Sequence, residues 1–168
     1  MGFAIPRFCH AGGRLLSAST FIVAMAVNGA GAADPALATA RVPARICVEA
    51  SPETLAALRR DEQRLVIVLS AFQPSSEGNS GFTVSLLGHD GMRTPVSRFA
   101  ALPRLAFSAA EPRRSQRFLV SVAGQAALSK DGEPLCLEIG FVGPAPRTRG
   151  SRARVSVELV RMPEEGKA

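Results

Sequence analysis

Between residues 44 and 161 hydrophobic and polar positions alternate in short bursts, broken by clusters of Pro, Gly and Ser. A period of two puts successive side chains on opposite faces of an extended strand. In "GFTVSLLG", Phe82, Val84 and Leu86 fall on one face and Thr83 and Ser85 on the other. "RVSVELVRM" opposes Val155, Val157 and Leu159 to Ser156 and Glu158. "PLCLEIGF" sets Leu135, Leu137, Ile139 and Phe141 against Cys136, and "RICVEA" sets Ile46 and Val48 against Cys47. "RLVIVLSAF" is an unbroken apolar run whose valines and isoleucine predict a buried strand. "RFLVSVAG" predicts a further strand, and "TPVSRFAALPRLAFS" an extended segment or edge strand. One stretch reads as a short helix: Ser51 as N-cap, Pro52 in the first turn, Leu55 and Leu58 on one side. Roughly six to eight closely spaced strands with one short helix predict an all-β, antiparallel β-sandwich.

The first residues do not fit that pattern. Arg7 and Arg14 precede the apolar stretch "LLSASTFIVAMAV" from Leu15 to Val27, and "NGAGAADP" then supplies small residues at a cleavage spacing. Residues 1–33 therefore read as a signal peptide, with an uncleaved anchor as the alternative, and residues 34–168 as one β-sandwich domain. The apolar stretch is too short to span a bilayer, so no stable membrane insertion is expected after cleavage. The expected location is periplasmic or secreted.

Export changes the reading of charge and cysteine. The formal net charge of +6 falls to +4 once Arg7 and Arg14 leave, and the remaining cations are arginines apart from Lys130 and Lys167. A solvated Arg-rich surface accounts for this bias, an acidic partner being the functional alternative, and nucleic acid is not an expected partner. Cys9 departs with the signal, leaving Cys47 and Cys136, which in an oxidising compartment make one disulfide. Both lie off the apolar faces of their strands, so a bridge across strands or from strand to loop is expected, with Cα atoms ~4.4–6.8 Å apart.

Candidate chemistry is thin. His89 and Met92 in "LLGHDGMRTP" are a soft pair three residues apart that can touch Cu(I), but Asp90-Gly91 between apolar runs is also a hairpin signal. Zinc and type 1 copper sites recruit two or three histidines, and after cleavage His89 stands alone. The motif therefore reads as an exposed turn, with weak metal contact at most. "GNSG" from Gly78 to Gly81 resembles the nucleophile loop of trypsin-like proteases, but His89 follows the serine and the chain is too short for a double barrel. No catalytic residues and no cofactor are expected. "PRTRGSRAR" concentrates Arg147, Arg149, Arg152 and Arg154 in what reads as a loop leading to the last strand, a candidate dock for a carboxylate, a phosphate or a partner. Trp and Tyr are absent, which removes the usual sugar-stacking and interface anchors.

With the strands laid out, the chain from Arg64 to Met162 resembles the C-terminal β-domain of bacterial and plant tyrosinases and polyphenol oxidases. The segments that carry the resemblance are "FTVSLL", "PVSRFAALPRLAFS", "QRFLVSVAGQAALSKDGEPLCLEIGFVGP" and "ARVSVELVRM". They are packing patterns rather than catalytic ones. In that family the domain caps the dinuclear copper site of a helical domain and can insert a placeholder side chain into it. This chain lacks the helical domain and its six histidines. The resemblance thus implies a stand-alone, non-catalytic cap or accessory subunit, partnered by a separately encoded tyrosinase-like protein. No placeholder carries over by position, and Phe107 in "LAFSAA" is singled out by its loop setting alone. An exported structural or ligand-binding sandwich without a copper connection is the alternative.

Overall fold

The alternating segments do become strands, and each buries its apolar face. In the computed structural model the described residues are 33–78, 81–125 and 133–163. The expected signal peptide, except Ala33, lies outside them, as do Asn79 and Ser80 of "GNSG". The described residues form β1 (Ala36–Thr39), β2 (Ala44–Val48), β3 (Gln63–Gln73), β4 (Gly81–Leu87), β5 (Arg93–Ala100), β6 (Gln116–Val120), β7 (Leu135–Phe141) and β8 (Arg152–Arg161). Helix α1 (Pro52–Arg59) joins β2 to β3, and a single helical turn, α2 (Ala145–Thr148), precedes β8.

Two four-stranded sheets result, sheet I in the order β1-β8-β3-β6 and sheet II in the order β2-β7-β4-β5, and every pairing is antiparallel. β1 pairs with β8, β2 with β7, β3 with β6 and β4 with β5, as in one long hairpin. Rolling that hairpin up brings β3 beside β8 and β4 beside β7. This connectivity is the jelly-roll form of the β-sandwich. Because every strand changes sheet at its connection except at the β4–β5 hairpin, the loops sort into two poles. The β1–β2, β3–β4, β5–β6 and β7–β8 connections share one pole, while α1, the β4–β5 hairpin and the β6–β7 connection share the other.

Between the sheets lie Leu65, Ile67 and Leu69 of β3, Val155 and Val157 of β8, Val84 and Leu86 of β4, and Leu137 and Ile139 of β7, all buried. A bulge in β3 between Leu69 and Ala71 lets Phe72 rather than Ala71 turn inward. Phe72 then meets Phe82 of the opposite sheet at 5.8 Å between ring centroids. Phe82 touches Phe141 at 4.6 Å and Phe99 at 5.1 Å, and Phe99 stacks on Phe118 of sheet I at 4.1 Å. Every phenylalanine beyond residue 32 joins this chain of rings, since Phe107 packs on Phe72 at 6.1 Å.

The expected helix has the expected cap. The Thr54 N–H donates to Ser51 Oγ at 3.2 Å, and Leu55 and Leu58 are fully buried. Its C-terminal end is less usual. The Asp61 N–H donates to Leu58 O and the Glu62 N–H to Ala57 O, the double closure that normally places glycine at the left-handed position. Here Asp61 occupies it, at φ 60°. Strand β1 was not anticipated, because four residues, "ALAT", carry too short a pattern to read. β6 ends at Val120, earlier than "RFLVSVAG" implies, although Val122 beyond it is still buried.

Phe82 is the ring with most neighbours and has no solvent exposure. Phe82→Ala should lower the unfolding free energy by about 3–5 kcal/mol, a large part of the stability of a domain this size. Urea denaturation followed by circular dichroism measures it; a loss below about 1 kcal/mol would remove the ring chain from its central place.

Candidate functional site

Strand alternation also decides what faces outward. On the outer face of sheet II the cross-strand register produces three rows. Cys47, Cys136, Leu87 and Arg93 form the first, Arg45, Glu138, Ser85 and Pro95 the second, and Gly140, Thr83 and Arg98 the third. Glu138 sits at the centre and is only 9% exposed. Arg93 reaches across β4 to place its Nε 3.1 Å from Glu138 Oε1. Arg45 approaches from the neighbouring strand at 3.8 Å. The arginine stems cover the carboxylate while their side chains stay 60% and 64% exposed. Long cationic side chains keep their heads in water, so both guanidinium groups stay accessible to solvent beside the carboxylate.

Two shallow grooves flank the clamp. One of about 400 Å³ is lined by Arg41, Thr83, Ser85, Arg93, Glu138 and Gly140 among others. The other, of about 510 Å³, runs over Arg45, Cys47, Leu87, His89, Glu133 and Cys136. Within it Cys47 and Cys136 form the expected disulfide. They are directly opposite each other on β2 and β7, with Cα atoms 4.0 Å apart, closer than the expected range. Cys47 is exposed.

His89, Asp90 and Met92 lie in the β4–β5 hairpin and are exposed, Met92 by 66%. The Gly91 N–H donates to Gly88 O at 2.9 Å, closing a turn whose central residues are His89 and Asp90. Gly91 follows in the left-handed region at φ 76°. The turn is thus centred one residue earlier than Asp90-Gly91, with the glycine making the three-residue loop possible. Asp90 Oδ1 accepts from the Met92 N–H at 2.9 Å. Among the described residues no group of three or more His, Cys, Asp or Glu side chains is arranged to hold a metal ion.

The four arginines expected in one loop are divided. Arg147 and Arg149 lie in and after α2, whereas Arg152 and Arg154 already belong to β8 and point outward from sheet I. Alternation with the buried Ala153 and Val155 begins earlier than the Gly and Ser of "RGSRA" suggest. Phe107 is likewise displaced from its expected role. It exchanges both backbone hydrogen bonds with Phe72, is 6% exposed, and has the Arg114 guanidinium over its ring at 5.8 Å. It is a core residue, not a loop side chain open to solvent. The Glu138 clamp went unread because Arg45 and Arg93 are far from it in sequence. A lone glutamate at an outward position of "PLCLEIGF" was the available signal.

A third concavity, about 750 Å³, opens at the corner of α1, β3 and β8 and includes Asp61 and Arg64. Arg64 Nε donates to Asp61 Oδ1 at 3.0 Å, a second N–H of the same guanidinium engages the other oxygen, and Ser121 Oγ donates at 2.6 Å. These bonds hold the Asp61 carboxyl below its ordinary value, the Arg64 bonds contributing most and Ser121 next. They also fasten a left-handed aspartate to the strand beyond it.

Comparison with family models, with curated proteins and with solved structures finds no match.

Two outcomes follow from this geometry. The His89→Ala plus Met92→Ala double variant should fold normally, its stability within about 0.5 kcal/mol of the parent, and the parent should release added copper on dialysis against a chelator. An unfolded variant, or stoichiometric copper retained by the parent, contradicts the turn reading. Asp61 has a depressed folded pKa, so its stabilising contribution is complete above the unfolded value and fades as pH falls through the folded one. Glu62, lowered by Arg60, and Glu111, lowered by the Ser108 N–H and then Arg114, act in the same direction. Thermal midpoints should therefore drop below about pH 4, and Asp61→Asn, which tolerates positive φ, should flatten that limb. An unchanged acid limb would remove Asp61 from the account.

Proposed function

We propose that this chain is an exported, non-catalytic accessory module that recognises a partner through the outer face of sheet II. The observation that supports it is the clamp at the centre of that face, Glu138 between Arg45 and Arg93. A central carboxylate gathers two exposed guanidinium groups at one point without consuming all their donors. Planar donors held in this way suit carboxylates on an opposing surface. Export rests on the N-terminal sequence pattern, with which a disulfide is compatible.

The strand-pattern resemblance, rather than the geometry, supplies the partner class: a separately produced type 3 copper oxidase of the tyrosinase kind. A dinuclear oxygen-binding site needs several imidazoles, and residues 34–168 offer His89 alone. The role toward such a partner is then shielding or maturation of its copper site, and not turnover. A second reading is favoured by the groove beside Arg41, Thr83, Ser85 and Arg93, whose size and polarity suit a small acidic ligand.

The decisive measurement mixes the purified chain with an isolated tyrosinase-like oxidase and follows both complex formation and catechol oxidation. The chain alone should show no turnover with copper added. With the oxidase it should form a complex that alters the oxidase's activation, and Arg45→Ala plus Arg93→Ala should weaken that complex about tenfold or more. Turnover by the chain alone contradicts the non-catalytic reading. Absence of a complex, with a small dicarboxylate shifting the thermal midpoint of the parent but not of the double variant, transfers the face to the second reading.

A further inference from the structure

The jelly-roll connectivity separates charge as well as loops. Among the described residues, the β1–β2, β3–β4, β5–β6 and β7–β8 connections carry six arginines against two glutamates, Glu77 and Glu111. Glu111 is itself occupied by Arg114 at 2.9 Å. Among the described residues the opposite pole, with those before β1 and the β4–β5 hairpin, carries seven carboxylates against Arg59 and Arg60. Sequence composition alone conceals this, because the two sets are interleaved along the chain.

The cationic pole also holds exposed apolar side chains. Leu102 and Leu105 in the β5–β6 connection are 68% and 61% exposed, and Val42 in the β1–β2 connection is 61% exposed. Arg104 lies between the two leucines in sequence, and Arg41 precedes Val42. Arg41, Arg104, Arg147 and Arg149 are exposed and have no ion-pair partner among the described residues. The loops are fastened to one another and to the strands. Ala40 N–H donates to Ser151 O at 3.1 Å, Leu102 N–H to Gln116 Oε1 at 2.9 Å, and Phe107 is paired with Phe72. Beneath them lies the chain of phenylalanine rings. β1 and β6 stand three strand spacings apart, so Val42 and the leucines are spread across roughly 14 Å.

From this arrangement we infer that the pole docks peripherally on an anionic lipid surface, Leu102 and Leu105 entering the headgroup–acyl boundary while the surrounding arginines engage phosphate. Exposed aliphatic side chains on loops that also carry unpaired arginines match the chemistry of such an interface, where apolar insertion and attraction to anionic headgroups act together. An acidic protein surface would use the arginines but would give no reason for leucines standing clear into solvent at the tip of a loop fixed at both ends. The acidic opposite pole orients the molecule, since a negative surface repels it. Docking this way leaves the outer face of sheet II, at the side of the sandwich, open to a partner. The inference stands independently of what that face binds.

The test is co-sedimentation of the chain, purified in the form that cells export and with its N-terminus sequenced, using neutral phosphatidylcholine vesicles and vesicles containing about a third phosphatidylglycerol. Binding should require the anionic lipid and fall steeply as salt rises toward ~0.5 M. Leu102→Ser plus Leu105→Ser, and separately Arg41→Ala plus Arg104→Ala, should each weaken it about tenfold or more. Met92→Ser, an equally exposed apolar residue at the other pole, should leave it unchanged. Failure of the parent to bind anionic vesicles at low salt overturns the inference. So does binding that ignores both double variants, which would locate it elsewhere on the chain. Soluble polyglutamate captured as tightly as vesicles, with no effect of the serine substitutions, would assign the pole to an acidic protein instead and overturn it equally.

Discussion

The ring chain from Phe107 through Phe72 and Phe82 to Phe99 and Phe118 is the contact on which the rest depends. It crosses the gap between the sheets twice, at Phe72–Phe82 and at Phe99–Phe118. Aromatic pairs bury more area per residue than aliphatic ones and add a directional preference of their own. In a jelly roll only β4 and β5 are joined within one sheet, so closure of the sandwich relies on contacts made between sheets rather than along them. The bulge in β3 gains its meaning there. Without it Phe72 would face solvent and the β5–β6 connection would lose the strand end to which Phe107 is paired.

Rigid packing under one pole has consequences at its surface. A loop whose root is buried can expose leucines without collapsing over them, because its backbone is already committed. At the other pole part of the fastening is polar. Asp61 adopts a conformation usually left to glycine, at a cost offset by bonds from Arg64 and Ser121 that tie the end of α1 to the strand beyond. Apolar burial anchors both poles, through Phe107 at one and Leu55 and Leu58 of α1 at the other, and each adds a carboxylate kept ionised by its neighbours, Glu111 at the first and Asp61 at the second.

Elements were legible where a single pattern decided them. Phe82-Val84-Leu86 against Thr83-Ser85 fixes both the strand and its inner face, and Ser51-Pro52 with Leu55 and Leu58 fixes α1. Strand order was not legible, because register between β3 and β8 or β4 and β7 is set by which faces remain to be covered after the local pairs form. Phe107 was misplaced for the same reason. Its neighbours in sequence are loop-like, and only Phe72, bonded to it from another strand, makes it core. The site followed this rule. Cys47 and Cys136 were found because two cysteines admit one pairing, whereas Glu138 has many arginines to choose from and its choice is made by the lattice of sheet II.

That lattice places a carboxylate and two arginines at the centre of one face. Covering a central glutamate with two arginines is not an economical way to stabilise a sheet, since exposed ion pairs contribute little and an apolar residue would avoid desolvating the charge. Arg93 lies across β4 from Glu138 and Arg45 on the neighbouring strand, so two cationic side chains gather at one point of the outer face. The two grooves run from this point to either side, so the charged cluster and the concave parts of the face form one continuous surface.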